Sequence, residues 1–319
     1  MDASNANAVV AEDLEVPGLK FFSDGSFSRY DPPGISAPPS PEASLAEDKG
    51  VASKDITLDN DLGLWVRIYC PLDAAAKHQS LPVCVYFHGG GFCIGSASWK
   101  PYHALCIRIA TAAGAMVVSV NYRLAPEHRL PAAYDDCASA LSWLRSGGTE
   151  DPWLSRHSDL SRIFLVGDSA GGYVVHHVGL REPSCCRGLV MVQPSFAGEE
   201  RTASEAEAPQ ATNYSDKFRE MSLPVGATRD HPLCNPLATD ALRESLERAT
   251  LPPLLVVIGG RDIRRDRERD YCEVLKKYGK DVKVLVLEEE DHAFYVLTPE
   301  TENTELLVQE IALFVKANS

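Results

Sequence analysis

Residues 163–172 read IFLVGDSAGG. This apolar, β-branched run stops at a glycine, and small residues surround a single serine before a helix-like stretch begins at residue 173. In a Gly-x-Ser-x-Gly turn the serine stands at a strained corner between a strand and a helix, where only glycine tolerates the crowding at Gly167 and Gly171. The pattern predicts a nucleophile elbow, with Ser169 exposed at the end of a central strand and a helix N-terminus behind it.

A glycine-rich stretch upstream of the elbow supports this interpretation. Residues 81–87 read as another buried strand, which runs directly into HGGGF at residues 88–92. Three consecutive glycines allow the backbone to turn its N–H groups into a cleft. Such N–H groups are what the second half of an oxyanion hole requires.

From residue 54 onward, short apolar runs alternate with amphipathic stretches. Strands are expected at 64–69, 81–87, 116–120, 163–166, 189–192, 254–258 and 282–287. Helices are expected at 99–113, 132–145, 266–278 and 305–316, where apolar residues recur at three- and four-residue spacing. This alternation predicts an α/β fold with a mostly parallel central sheet, covered by helices on both faces, and a site at the C-terminal ends of the strands.

Two parts of the chain depart from the alternation. Residues 1–50 form an N-terminal arm, in which 21–30 reads as a hairpin turning at Asp24-Gly25 and 31–41 as a proline-rich connector. The arm is either a lid over the site or a decoration. Residues 51–319 form the catalytic domain, and its polar, broken segment at about 196–250 is expected to be a cap over the site.

Composition limits the classes of partner. The net charge of −14 and the pI near 5.1 argue against binding to nucleic acid or to an anionic membrane surface. No signal-peptide pattern and no apolar run of about 18 residues is found, so a cytoplasmic protein is expected. The nine cysteines include no Cys-x-x-Cys pair, and Cys84, Cys106 and Cys137 lie in apolar stretches, which predicts reduced, buried thiols.

A serine hydroxyl needs a general base and an acid that orients the base. His292 follows the last predicted strand, where a loop would carry it over the C-terminal edge of the sheet. Asp262 is the first carboxylate after the strand at 254–258, whereas Asp266 reads as a first-turn acid of the next helix. His176 and His177 are expected to be packing or surface residues. The chain order serine, aspartate, histidine is that of α/β-hydrolases.

Four motifs together resemble the hormone-sensitive-lipase family of α/β-hydrolases. They are HGGG at 88–91, NYRLAPEHRLPAA at 121–133, GDSAG at 167–171 and DHAF at 291–294. More narrowly, the chain resembles plant carboxylesterases, which are relatives of the gibberellin receptor. The segments at 198–202 and 222–232 look closest to the strigolactone-hydrolysing and tuliposide-converting members.

The resemblance implies the roles of the site residues. Ser169 would be the nucleophile, His292 the base and Asp262 the residue that orients it. The oxyanion hole would use backbone N–H groups of Gly89, Gly90 and Gly91, chiefly the last two, together with Ala170. Residues 122–131 are expected to be architectural, and the N-terminal arm is expected to help form a lid.

Two functions of different classes follow from the resemblance. The first is a serine carboxylesterase that hydrolyses small carboxylic esters, such as plant metabolite, hormone or xenobiotic esters, with no metal or organic cofactor. The second is a non-catalytic hormone receptor, since gibberellin receptors keep the fold and the serine but lack the catalytic histidine. The presence of His292 favours the enzyme.

Two departures from typical relatives leave the shape and size of the substrate pocket undetermined. Tyr173 stands where many relatives have asparagine, so its ring either narrows a pocket or faces the core. The segments at 180–188 and 203–214 look shorter than usual, which puts the size of the cap and of the substrate in doubt. The natural ester, the acyl and alcohol specificity and the oligomeric state do not follow from the sequence.

Overall fold

The computed structural model describes residues 13–30, 32–40, 50–76, 80–146 and 150–319. The proline-rich connector falls partly outside these ranges, at Asp31 and Pro41. None of the described helices is long and apolar enough to cross a membrane.

An eight-stranded sheet forms the centre of the molecule. Its strands are β4 (Val51–Asp59), β5 (Leu64–Pro71), β6 (Leu81–Phe87), β7 (Met116–Asn121), β8 (Ser158–Asp168), β9 (Gly188–Val192), β10 (Leu254–Gly259) and β11 (Val282–Leu287). They lie in the order β11-β10-β9-β8-β6-β7-β5-β4. Strands β6 to β11 are mutually parallel, and β5 and β4 extend the sheet in antiparallel pairing. The expected α/β fold is therefore confirmed.

Helices cover both faces of the sheet. On one face lie α2 (Lys100–Ala113), α10 (Phe294–Leu297) and α11 (Glu302–Ala317), and on the other α3 (Ala132–Ser146), α4 (Pro152–His157), α5 (Ala170–Arg181) and α9 (Arg265–Lys277). A short helix α1 (Leu72–Ala76) follows β5. Every residue of β6 is buried, as expected for a parallel strand packed on both faces. Apolar contact with both helical layers explains why such strands read as continuous hydrophobic runs.

The N-terminal arm contains a separate three-stranded antiparallel sheet. Its strands are β1 (Leu14–Val16), β2 (Leu19–Phe21) and β3 (Phe27–Arg29). Phe21 pairs with Phe27 across the turn at Asp24-Gly25, which confirms the predicted hairpin. The turn is held by Asp24, whose carboxylate accepts hydrogen bonds from the Ser26 backbone and hydroxyl at 2.8 and 2.6 Å.

The segment between β9 and β10 is helical, although the sequence reads as polar and broken there. It contains α6 (Ala203–Glu207), α7 (Pro209–Ser222) and α8 (Asp240–Arg248). Thr202 and Glu205 form a capping box at the start of α6, and Thr239 caps α8. These helices lie in the segment for which the sequence predicts a cap, and the domain boundaries themselves stay a prediction.

Candidate active site

The sharp turn after β8 places Ser169 at the C-terminal edge of the sheet. Ser169 has a φ of 51° and a ψ of −114°, a strained conformation for a residue with a side chain. A Cβ atom at position 167 would lie 2.3 Å from the Gly171 carbonyl oxygen, and one at position 171 would lie 1.9 Å from the Phe87 carbonyl oxygen. Only glycine fits at both positions, as the sequence predicted for this elbow.

Three strand ends bring the predicted serine, histidine and aspartate together. The Ser169 hydroxyl lies 2.8 Å from His292 Nε2, and His292 Nδ1 lies 2.5 Å from Asp262 Oδ2. Ser169 follows β8, Asp262 follows β10 and His292 follows β11. With Nδ1–H donated to Asp262, the lone pair on Nε2 faces the serine, so the histidine can accept its proton.

The electrostatic surroundings suit a neutral histidine beside an ionised aspartate. Burial alone would raise the pKa of Asp262, but the adjacent His292 and Arg264 outweigh it and hold the pKa at about 2. Burial, with Arg264 and Arg219 nearby, lowers the pKa of His292 below 6.5, although Asp262 opposes that shift. His292 is therefore neutral, and able to act as a base, at neutral pH.

The loop at residues 88–92 after β6, called the oxyanion loop for its predicted role, has two free glycine N–H groups rather than the three expected. The Gly89 N–H donates to the Asp168 carboxylate at 3.0 Å, so the prediction that Gly89 belongs to the oxyanion hole is wrong. Within the described part of the chain, no hydrogen bond engages the N–H groups of Gly90, Gly91 or Ala170. These three N–H groups stay available for an oxyanion beside Ser169.

Asp168 fastens the oxyanion loop to the elbow. Its buried carboxylate accepts hydrogen bonds from the Gly89 N–H, the Tyr86 hydroxyl at 2.5 Å and the Tyr295 hydroxyl at 3.1 Å. Burial raises the pKa of Asp168 to about 6, although all three donors favour the ionised form. The residue before the nucleophile thus links β6, β8 and α10.

Sequence patterns do not mark Gln193, which the structure places directly under the loop that carries His292. Its side-chain oxygen accepts from the Ala293 N–H at 2.8 Å, and its amide nitrogen donates to the Asp291 carbonyl at 3.0 Å. These two bonds hold the backbone on either side of His292. Gln193 is fully buried with a φ of 46°, but a glutamine after a strand matches no motif.

The N-terminal sheet and helix α7 both pack against the oxyanion loop. Phe218 of α7 lies so close to Gly91 that a Cβ atom there would be 2.5 Å from the ring. Arg29 of β3 donates to the Cys93 carbonyl at 2.7 Å and to both carboxylate oxygens of Glu127 at 2.6 and 2.7 Å. The described part of the arm is therefore fixed to the wall of the site.

The other residues singled out in the sequence pack in the core or support loops of the site. Tyr173 is buried and donates to the Pro232 carbonyl at 2.9 Å, so its ring faces the core. His176 contacts the Tyr271 hydroxyl at 2.8 Å, and His177 stacks on Tyr134, which confirms both as packing residues. All nine cysteines are buried and free, as predicted. Tyr122 donates to the carbonyl oxygen of residue 88 at 2.6 Å and supports the oxyanion loop.

A separate cavity lies apart from these residues. It measures about 710 Å³ and opens between the loop after β9 and α9. None of Ser169, Asp262 and His292 lines it. The reacting atoms instead lie between the oxyanion loop, α7 and the loop that carries His292.

Comparison with known proteins identifies the family of this chain. The chain matches the alpha/beta hydrolase fold family over residues 84–296 and the carboxylesterase family over residues 36–127. It is 37% identical to the probable carboxylesterase 6 of Arabidopsis thaliana, over 92% of this chain and 87% of the relative. It is 39% identical to the gibberellin receptor GID1C of the same plant, over 84% and 81%. The hyperthermophilic esterase from Pyrobaculum calidifontis superposes with a TM-score of 0.69 at 30% identity, over 83% of this chain and 85% of that one.

Fold and matches together define an α/β-hydrolase. Within that class the chain belongs to the plant carboxylesterases related to hormone-sensitive lipase, which confirms the resemblance seen in its motifs.

Proposed function

We propose that this carboxylic ester hydrolase works through a covalent acyl-enzyme on Ser169. The observation that carries the proposal is the hydrogen-bonded chain from the Ser169 hydroxyl through His292 to Asp262, with distances of 2.8 and 2.5 Å. A serine hydroxyl is a weak nucleophile until a neighbouring base removes its proton. The family relationship supports the same chemistry.

The reaction follows from the positions of the atoms. His292 Nε2 accepts the Ser169 proton as Oγ attacks the ester carbonyl, and the resulting oxyanion is stabilised by N–H groups of Gly90, Gly91 and Ala170. The protonated histidine then gives its proton to the departing alcohol oxygen, which leaves an acyl group on Ser169. His292 next activates a water molecule, whose attack releases the carboxylic acid and restores the serine.

The proposed substrates are small carboxylic esters with a short-chain or aromatic acyl group. Phe218 packs on Gly91 and Arg29 fixes the arm beside the same loop, so two elements crowd the oxyanion side of the site. Preferential hydrolysis of emulsified long-chain triglycerides would contradict this substrate class. The cytoplasmic location stays a prediction.

The deciding experiment is hydrolysis of 4-nitrophenyl butyrate by wild type, Ser169→Ala and His292→Ala. Loss of either residue is expected to lower kcat by at least about 10³-fold, because removal of one triad member disables the whole unit. Arg156→Gln is the control, since Arg156 is exposed on α4 at the opposite end of the sheet. Mass spectrometry with a slowly hydrolysed ester should locate the acyl group on the peptide that carries Ser169.

The receptor alternative makes a different prediction. An inert wild type whose melting temperature still rises with small ligands would contradict the esterase proposal. The 39% identity to the gibberellin receptor gives that alternative its weight. Against it, His292 is present and lies within hydrogen-bond distance of Ser169.

A further inference from the structure

A small polar cavity lies beneath the cap helix α7. Thr212, Ser215, Asp216 and Arg219 recur at three- and four-residue spacing, so they share one face of that helix, and all four border the cavity. The cavity measures about 10 Å³. That volume accommodates one body of about the size of a water molecule.

The walls of this cavity carry more positive than negative charge. They include the four arginines Arg201, Arg219, Arg229 and Arg264 and the two carboxylates Glu205 and Asp216. A guanidinium group stays charged at all ordinary pH values and offers only donors. Once the carboxylates paired with the other arginines are counted, the charge of Arg219 is left uncompensated, which favours an anionic occupant over a neutral one.

The nearby carboxylates are already paired with other groups. Asp216 accepts from both Arg201 and Arg229, Glu199 accepts from Arg229 at 3.0 Å, and Glu205 accepts from Arg267 at 2.7 Å. Asp262 is hydrogen-bonded to His292 and lies 3.5 Å from Arg264. No carboxylate among the described residues pairs with Arg219.

Arg219 is a buried cation with an unused donor. It is 3% exposed, and its Nη2 donates to the backbone and hydroxyl oxygens of Ser195. Its Nη1 has no hydrogen-bond partner in the described structure, and the same is true of the buried Nε atoms of Arg229 and Arg264. A buried charge without a counter-ion is strongly unfavourable, and a buried donor without a partner adds to that cost.

We propose that this cavity binds one small monovalent inorganic anion, chloride in ordinary buffers, with Arg219 as its main partner. The volume excludes a carboxylate ligand or a phosphate, and a water molecule would leave the excess positive charge uncompensated. The anion would join α7 to the loop after β9 and the turn after β10. It would thereby fasten the cap to the body beside the active site, whether or not the esterase proposal holds.

Bromide provides a direct test of the site. Crystals grown with sodium bromide in place of chloride should give an anomalous scattering peak beside Arg219 Nη1. A water molecule there, without an anomalous peak, would overturn the proposal.

Thermal unfolding provides a second test. In sodium chloride, the melting temperature of wild type should be higher by about 2 °C than in sodium gluconate of equal ionic strength, because an anion that binds only the folded chain stabilises it. Arg219→Met should abolish this difference, whereas Arg156→Met, which removes an exposed arginine, should keep it. Ser215→Leu, which fills the cavity without removing a charge, replaces Arg219→Met if that variant does not fold. Equal chloride effects in wild type and in the cavity variant would contradict a specific site.

Discussion

At the residue scale, two buried side chains hold the groups that are proposed to react. Asp168 ties the oxyanion loop to the elbow through the Gly89 N–H, and Gln193 holds both sides of the loop that carries His292. Enzyme rates are sensitive to displacements of about 1 Å in reacting groups. Both residues are therefore expected to affect activity without contacting substrate.

The raised pKa of Asp168 makes stability depend on pH. Because this pKa is about 6 in the folded chain against an ordinary value of 3.8, the stabilisation is present below about pH 4 and is lost as the pH rises through about 6. The amide in Asp168→Asn does not titrate, so this variant lacks the pH-dependent loss of stability. From pH 4 to pH 7, its free energy of unfolding should therefore gain about 2 kcal/mol relative to wild type, as measured by urea denaturation.

Asp159 provides a matched control for that experiment. Its hydrogen bonds with Ser161 and Arg162 lower the pKa of this half-buried carboxyl to about 2, so its stabilisation is lost as the pH falls below about 4. Asp159→Asn should leave the stability profile close to that of wild type between pH 4 and pH 7 and shift it in the opposite direction only below about pH 4. Parallel stability profiles of Asp168→Asn and wild type would contradict the role of Asp168.

Gln193→Met should lower kcat by about 10- to 100-fold with little change in KM, because the His292 loop loses two backbone anchors. Steady-state hydrolysis of a 4-nitrophenyl ester measures both constants. Gln309→Met is the control, since Gln309 is exposed on α11. A lower melting temperature with unchanged kcat would contradict a positioning role for Gln193 and indicate that it contributes only to stability.

At the element scale, the contacts of Arg29 provide a way to test whether the N-terminal arm contributes to the active site. It donates four hydrogen bonds, to the carbonyls of Cys93 and Ala125 and to the Glu127 carboxylate. Because Cys93 follows the oxyanion loop, release of the arm would open that wall of the site. The two interpretations of the arm, lid and decoration, thus differ in what Arg29 does to substrate binding.

Arg29→Met should lower the melting temperature by about 2 to 6 °C, from the loss of charged hydrogen bonds worth about 1 to 3 kcal/mol. KM for a 4-nitrophenyl ester should rise several-fold while kcat changes little. Lys20→Met removes an exposed ion pair with Glu15 in the same small sheet and should do neither. An unchanged KM in Arg29→Met would make the arm a decoration.

Helices and strands differ in how well the sequence predicts their presence and their ends. Strands β6 and β11 begin and end at the predicted residues, because apolar runs bounded by turn residues define them. Strand β4 was not predicted, since it is half exposed over Lys54–Asp59 and pairs antiparallel at the sheet edge. Helix α7 was not predicted because the face it turns to the body is polar, with Asp216 and Arg219 where apolar residues would mark a helix.

The residues of the candidate site also differ in how well the sequence predicts them. Ser169, Asp262 and His292 each follow a strand that the sequence identifies, and their order along the chain matches a known pattern. The roles of Gln193 and of the Gly89 N–H depend instead on contacts between distant segments. Spacing along a chain carries no information about such contacts.

At the scale of the whole molecule, the buried thiols predict low chemical reactivity. Burial raises the pKa of Cys84, Cys93 and Cys186 to about 12, so almost no thiolate exists at neutral pH. A thiol-specific chromogenic disulfide should label at most two thiols of the native protein, Cys185 within minutes and Cys186 more slowly, and all nine in guanidinium chloride. Rapid labelling of three or more native thiols would contradict the packing described above.

The order of the strands also sets when the active centre is completed during synthesis. The serine and the oxyanion glycines leave the ribosome with β6 and β8, more than a hundred residues before β11 delivers the histidine. Until β11 pairs with β10 at the edge of the sheet, a nascent chain has an elbow but no base. Under the proposed mechanism, ester cleavage therefore begins only when translation has passed β11 and that strand has paired with β10.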